Sequence, residues 1–337
     1  MDAIWPSSWA LFAQCCLPLL LTVALLMSCA SLWPRRLPSC EHPKHGDSPI
    51  KLVQPCSGAS SAESTIDLDS TGISESQSAP RGPKQPYDAF LVLDVEATCV
   101  AGAKFDYPSE IIEWPVCLLR WKDKDRNERA RVLEIVDEFR SFVRPTWRPQ
   151  LSQFCTGLTG ITQEQVDSAP TFTQLMDIFR EFMERHGLIE FETGRRLIRF
   201  CWCSDGPFDI RDFVVKQCFM SKISMPAWLS GDVLDVRSAV GEWYLTTSRR
   251  CQEKRYIECA FPMPKRLSIS IPRQLQVLGL SPFQGRQHSG MDDTRNITRI
   301  VIELARKGVK MQPNTAINPN KRWRWMGKRG RVVEGYY

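Results

Sequence analysis

Asp94 and Glu96 end an apolar run, Phe90-Leu91-Val92-Leu93, and stand two positions apart. On a strand that spacing puts both carboxylates on one face, a few ångströms from each other, with Leu93 and Val95 turned toward the core. Like charges held side by side repel, and removing them from water is costly unless something positive lies between them. Hard divalent cations such as Mg²⁺ or Mn²⁺ suit such oxygen donors. The alternative is one inward-facing and one solvated acid at a strand end. Asp209 opens a helix after another strand, and Asp293 opens a helix after His288, which sits in a Gly-rich turn. Each of these two acids alone is open to reading as a helix cap. As a set, acids at strand ends and helix starts face one rim of an open α/β sheet, where such folds place their sites. An imidazole beside them is suited to proton transfer, because its ordinary pKa lies nearest the working pH.

The elements that must position these residues are legible in order. Glu110–Trp121 and Arg131–Val143 read as two further strands, joined by the charged turn Lys122–Arg129 into an antiparallel meander with the first. Short helical patches fill Leu151–Val166 around Gly157 and Gly160. Thr171 and Gln174 then form a capping box for a helix whose apolar face runs from Phe172 to Met183 and which ends at Gly187. Leu197–Cys203 is a fourth strand, and Asp205-Gly-Pro-Phe-Asp209 turns it into a helix reaching about Met220. A short strand at Asp232–Val236, a charged surface insertion at Thr246–Pro264, a helix near Pro272–Leu278 and a last helix closing at Gly308 complete the set. A meander followed by strand–helix units predicts an α/β fold of RNase H type, a mixed sheet flanked by helices.

The 337 residues, 43% hydrophobic, suffice for a sizeable core, and the net charge of +6 does not by itself announce nucleic acid. Its distribution is more telling, because Lys321, Arg322, Arg324, Lys328, Arg329 and Arg331 crowd the C-terminus around Trp323 and Trp325. That interleaving suits phosphate contacts and base stacking, or else a plain solvated tail. The 13 cysteines lack zinc-module spacing and are odd in number, which argues against a disulfide framework and for a reducing compartment. Residues 3–34 carry no charge, and Trp9 to Trp33 is long enough to cross a bilayer, with Arg35, Arg36 and Lys44 after it. The expectation is an anchor at residues 1–34 that leaves the rest facing the cytosol, with nucleus or plain cytoplasm following if the segment is no anchor. Residues 35–86, rich in Pro, Ser and Gly, read as a disordered linker.

Three motifs together resemble the DEDDh 3′-to-5′ exonucleases, in the branch of the histone-mRNA 3′ exonuclease and the enhanced-RNAi exoribonuclease. They are Phe90-Leu-Val-Leu-Asp-Val-Glu-Ala-Thr-Cys99, Asp205-Gly-Pro-Phe-Asp209 and His288-Ser-Gly-Met-Asp-Asp293, with Leu151–Asp167 as a further matching segment. The resemblance implies an exonuclease domain at 87–312 and a basic aromatic tail at 313–337. It implies Asp94, Glu96, Asp209 and Asp293 as metal ligands for two Mg²⁺ (or Mn²⁺) ions and His288 as general base. The His-to-Asp spacing favours Asp293 over Asp292. In such sites two metals about 3.5–4 Å apart assist attack on the terminal phosphodiester, and Gly290 is expected to let His288 swing. Ala97, Thr98, Cys99, Leu158 and Phe208 would contact the terminal nucleotide, Phe208 standing where relatives usually have Trp. The implied substrate is an RNA 3′ end, single-stranded or stem-loop, in processing, decay or small-RNA silencing. A DNA exonuclease and a non-catalytic RNA-binding adaptor are the alternatives.

Overall fold

β1 (Ala89–Leu93) is buried along its whole length, and its side chains divide between two cores. Ala89, Leu91 and Leu93, with Val95 beyond the strand, join one apolar cluster; Phe90 and Val92 join the other. A strand apolar on both faces belongs in the middle of a sheet covered by helices on both sides. The computed structural model, which describes residues 82–255 and 269–337, places it there. β1 runs antiparallel to β3 (Ile111–Trp121) and parallel to β5 (Phe200–Ser204). β6 (Val233–Asp235) continues the sheet beyond β5, while β4 (Leu133–Phe142) and the two-residue β2 (Glu96–Ala97) pair with β3. The expected meander and mixed α/β sheet are both present.

On one face α3 (Phe172–Arg185) packs Phe172, Phe179 and Phe182 against Trp114 and Trp202. The Thr171 N–H donates to Gln174 Oε1 (2.9 Å) at the start of that helix, as the capping motif predicts. On the opposite face lie α5 (Val236–Arg255), α6 (Ile271–Leu278) and α7 (Gly290–Arg306), with Ile297, Ile300, Val301 and Leu304 inward. Two short helices, α1 (Gln153–Thr159) and α2 (Gln163–Asp167), follow β4.

The structure departs from the sequence expectations in five places. The first strand breaks at Asp94–Val95, so Asp94 and Glu96 sit on either side of a discontinuity rather than on one regular strand. The helix after β5 begins as a π-helical turn, Asp209–Val214, before becoming regular in α4 (Val215–Met220). The fold starts earlier than Tyr87, because Gln85 is fully buried; its amide donates to the Val309 carbonyl (3.0 Å) and its carbonyl accepts from the Met311 N–H (2.9 Å). The stretch from Thr246 to Arg255, expected as the start of an insertion, continues α5, whose sequence has no proline to stop it. The remainder of that insertion, the apolar segment 9–33 and the linker as far as residue 81 lie outside the described residues. Among the described residues no helix is long and apolar enough to cross a membrane.

The fifth departure is the tail, which packs instead of trailing into solvent. Thr315 bridges to Val233, and Asn314 exchanges hydrogen bonds with Asp235 (2.8 and 2.9 Å). Trp325 is fully buried against Met220, and its indole N–H donates to the Asp106 carbonyl (2.5 Å). That ring is core and unavailable to a base, whereas Arg322, Arg324, Lys328, Arg329 and Arg331 stay exposed. Trp325→Ala is therefore expected to destabilise the fold by about 3–5 kcal/mol, the usual range for removing a buried aromatic. Urea unfolding measures it, and an unchanged midpoint would show that the tail does not dock.

Candidate active site

The parallel strands β1 and β5 end on the same rim, and three chain segments bring acids to it. Asp94 follows β1, Glu96 lies in β2, and Asp293 occupies the first turn of α7. One carboxylate oxygen from each lies within 4.8 Å of the others. Asp209 joins from the π-helical turn: its Oδ1 accepts the Val95 N–H (3.0 Å). The break after β1 frees that amide from the sheet, and a buried N–H must find a partner. The discontinuity and the fourth acid thus explain each other.

Crowding shows in the protonation of the set. Burial, and then the charges of Asp209, Asp293 and Glu96, push the Asp94 carboxyl well above the usual range. Burial, followed by Asp293 and Glu113, drives Glu96 up to about 8. Burial also carries Asp209 and Asp293 up to about 7, although the Val95 amide restrains the first and the His288 backbone the second. Four oxyacids driven toward protonation by burial and by neighbouring carboxylates, Asp205 and Asp292 among them, are a hard-donor set suited to divalent cations. By its chemistry the set could hold divalent cations.

His288 is exposed on the rim, lining a cleft of about 240 Å³ with Asp94, Asp205, Arg237 and Asp293. Its φ of 61° is left-handed, a conformation that costs a non-glycine residue energy and must be enforced by its surroundings. Three hydrogen bonds made by Arg286 hold the turn around it. The Asp292 carboxylate accepts the Arg286 N–H (2.9 Å), and the Arg286 side chain donates to the carbonyls of Gly157 (3.0 Å) and Leu158 (2.8 Å) at the end of α1. Asp292 is thereby committed to the loop, which leaves Asp293 for the cluster, as the spacing predicts.

Gly290 does not act as a hinge. A Cβ there would stand 2.9 Å from the Asp94 carbonyl, 3.0 Å from Glu113 Oε2 and 3.1 Å from Pro115. Its place is a close approach of α7 to β1, and its N–H donates to Glu113 Oε2 (3.1 Å). Glu113 in turn accepts from Arg140 Nε (2.7 Å). A carboxylate at a helix N-terminus is favourable and here fixes the turn that carries Asp293.

The expected substrate residues fall in two groups. Ala97, Thr98 and Cys99 dock α1 and β3. The Ala97 carbonyl accepts from the Cys155 thiol (3.8 Å), the Thr98 hydroxyl from the Glu110 N–H (2.9 Å), and the Cys99 carbonyl from Ser152 Oγ (2.6 Å). These contacts hold α1, with its half-buried Leu158, beside the acids. Phe208 remains half-buried next to Asp209 and packs edge-on against Phe105, ring centroids 5.1 Å apart.

Sequence reasoning missed Glu113, Arg237 and Gln274, and gave Asp205 no role. Asp205 accepts from Arg237 (2.6 Å) and from the Gln274 amide (2.6 Å), which places one guanidinium beside the acids. Arg237 follows a three-residue strand and Gln274 sits mid-helix, so neither carries a local signal. Asp205 lies within the second motif and was the one visible clue.

Comparison with known proteins agrees with this geometry. The Exonuclease (RNase_T) family profile matches residues 91–193. A 3′-5′ exoribonuclease 1 of Mus musculus is 35% identical over 231 residues, covering 68% of this chain and 57% of that protein. The 3′-5′ exonuclease eri1 of Schizosaccharomyces pombe is 34% identical over 250 residues, covering 70% and 71%. The solved nuclease domain of 3′hExo, described as a DEDDh family member bound to rAMP, superposes with a TM-score of 0.56 at 31% identity. That match covers 70% of this chain and all of the domain. The chain thus spans a little over half the length of the mouse relative.

Proposed function

The chain belongs to the 3′-5′ exonuclease family of eri1 and 3′hExo, and from that premise we propose that it shortens RNA from the 3′ end, releasing one nucleotide at a time. The observation that carries this reading is the convergence of Asp94, Glu96 and Asp293 within 4.8 Å, with Asp209 tied to the same turn. These four acids would hold two Mg²⁺ or Mn²⁺ ions. When bound, such ions act as Lewis acids on the phosphoryl group and offset charge on the attacking and departing oxygens.

The chain's own groups do the rest. His288, held over the cleft by the Arg286 and Asp292 contacts, accepts the proton of the attacking water at an imidazole nitrogen. Glu113 and Gly290 fix the α7 turn, so that Asp293 cannot drift from Asp94. Leu158 and Phe208 supply the apolar surfaces for the terminal base, with preference for RNA following the named relatives.

The test is a time course on 5′-labelled RNA and on DNA of the same sequence, in Mg²⁺ and in EDTA, with single-stranded and stem-loop substrates. A ladder shortening from the 3′ end, faster on RNA and stopped by EDTA, is expected. Equal rates on DNA would move the substrate class, and no shortening in either metal would remove the nuclease reading.

A further inference from the structure

Phe105 lies in the loop between β2 and β3, and the residue is 51% exposed although large and apolar. The fold fixes this loop by a costly device. Lys216 of α4 is fully buried, and its ammonium donates to the carbonyls of Phe105 (2.6 Å) and Tyr107 (3.0 Å). Rings of Phe105, Phe213 and Trp323 surround the same ammonium at 5.0, 5.5 and 5.2 Å, replacing water with aromatic faces. The ammonium also faces the carboxylates of buried Asp212 and of Asp106, so its charge is accounted for within the core; the exposure of the Phe105 ring that it anchors is not.

The position of that ring supplies a reason. Phe105 meets Phe208 and Phe213 edge-on, with centroids 5.1 and 5.7 Å apart. Phe208 adjoins Asp209 and lies close to Arg237, since a Cβ on Gly206 would touch Phe208 at 2.9 Å and stand 3.9 Å from the Arg237 guanidinium carbon. Arg237 lines the cleft that holds Asp94 and His288. A continuous apolar step therefore leads from the acids, across Phe208, to an exposed ring, with the Arg211 guanidinium 5.0 Å above Phe208. Aromatic rings beside cations are the chemistry by which single strands are held without regard to sequence.

Resting on the exonuclease reading, we infer that Phe105 is the stacking platform for the nucleotide next to the 3′-terminal one, held in place by the buried Lys216 ammonium. The base lies against the exposed ring while the terminal nucleotide occupies the cleft. Arg211 over Phe208, paired with Asp212, and Arg237 in the cleft, paired with Asp205, then flank the strand between them.

The test is binding without turnover, measured in Ca²⁺ with the full chain. Anisotropy reports a labelled eight-nucleotide oligo(A), and calorimetry reports AMP, which fills only the terminal position. Phe105→Ala and Phe105→Leu should each weaken the octamer about tenfold, in the range for losing one stacked base, with AMP unchanged; Phe105→Trp should restore it. An octamer affinity unaffected by Phe105→Ala overturns the assignment, and so does an equal loss for AMP. Rescue by Leu would make the contact mere packing and would overturn it as well. No hydrolysis is needed, so a chain that binds in this graded way yet leaves RNA intact would sink the exonuclease reading and not the platform.

Discussion

Asp94→Asn is expected to slow RNA shortening at least about a thousandfold, as loss of a ligand to a catalytic metal does, while making the metal-free protein more stable. The two effects have one origin. The Asp94 carboxyl is pushed up by burial and then by Asp209, Asp293 and Glu96, so its charge is a burden on the fold until a cation offsets it. Asparagine keeps the shape and removes the charge, and the repulsion goes with it. The gain should appear as a rise of a few degrees in Tm at pH 8 in EDTA, on the order of 1 kcal/mol for a domain of this size. The matched control is Asp292→Asn, whose side chain serves the Arg286 amide and not the acid cluster. It should keep metal-dependent stabilisation. Single-turnover cleavage and thermal melts decide the matter. Wild-type rates in Asp94→Asn, or a lower Tm in EDTA, would contradict the role given to this acid.

The legible part of this site lay in residues whose local pattern is forced. Asp94 and Glu96 are visible because an apolar run cannot end on two acids two residues apart without a reason. Asp209 and His288 are visible because turns rich in glycine and proline mark where strands hand over to helices. The meander was legible from the charged turn between β3 and β4, whereas the two-sided burial of β1 emerged only with the helices packed on both faces of the sheet. What stayed hidden depends on approach between segments distant in sequence. Glu113 faces inward on β3 only because α7 docks there, and its partner Gly290 is 177 positions away. The break after Asp94 needs a carboxylate 114 positions on to satisfy Val95. Trp325 read either as a stacking residue or as part of a plain solvated tail, because a cation-rich setting predicts exposure; tertiary burial overrode both readings. Gly290 was misread for a related reason, since a glycine in a loop motif suggests motion while its contacts show crowding.

Stability of the metal-free protein should fall as pH rises from 5 to 8, opposite to the trend of proteins whose acids are paired. The sign follows from linkage. Unfolded carboxylates release protons near pH 4, whereas folded Asp209 and Asp293 hold theirs to about 7 and Glu96 to about 8. Between those limits the folded state binds more protons than the unfolded one, so each step up in pH favours unfolding. Ion-paired acids act the other way but elsewhere. Arg295 holds Glu138 low and Arg306 holds Glu303 low, and stability from such pairs is lost only as pH drops below the ordinary carboxylate range. Below pH 7 the slope therefore belongs to the site; above it the Cys155 thiol, drawn down to about 7 by its contact with Cys99, acts the other way. Adding Mg²⁺ or Mn²⁺ should reverse the slope, because cations compete with protons for the same oxygens and bind more tightly as the acids ionise. The rise in Tm on adding metal should be small at pH 5 and about 5–10 °C at pH 8, corresponding to a few kcal/mol in a domain of this size. His288→Ala separates the two parts of the site: with the imidazole outside the ligand set, this variant should keep the full metal-dependent rise while cleavage fails. A flat Tm across this window in EDTA, or a metal-dependent rise lost with His288, would mean that the acids do not crowd one another or that the histidine is itself a ligand.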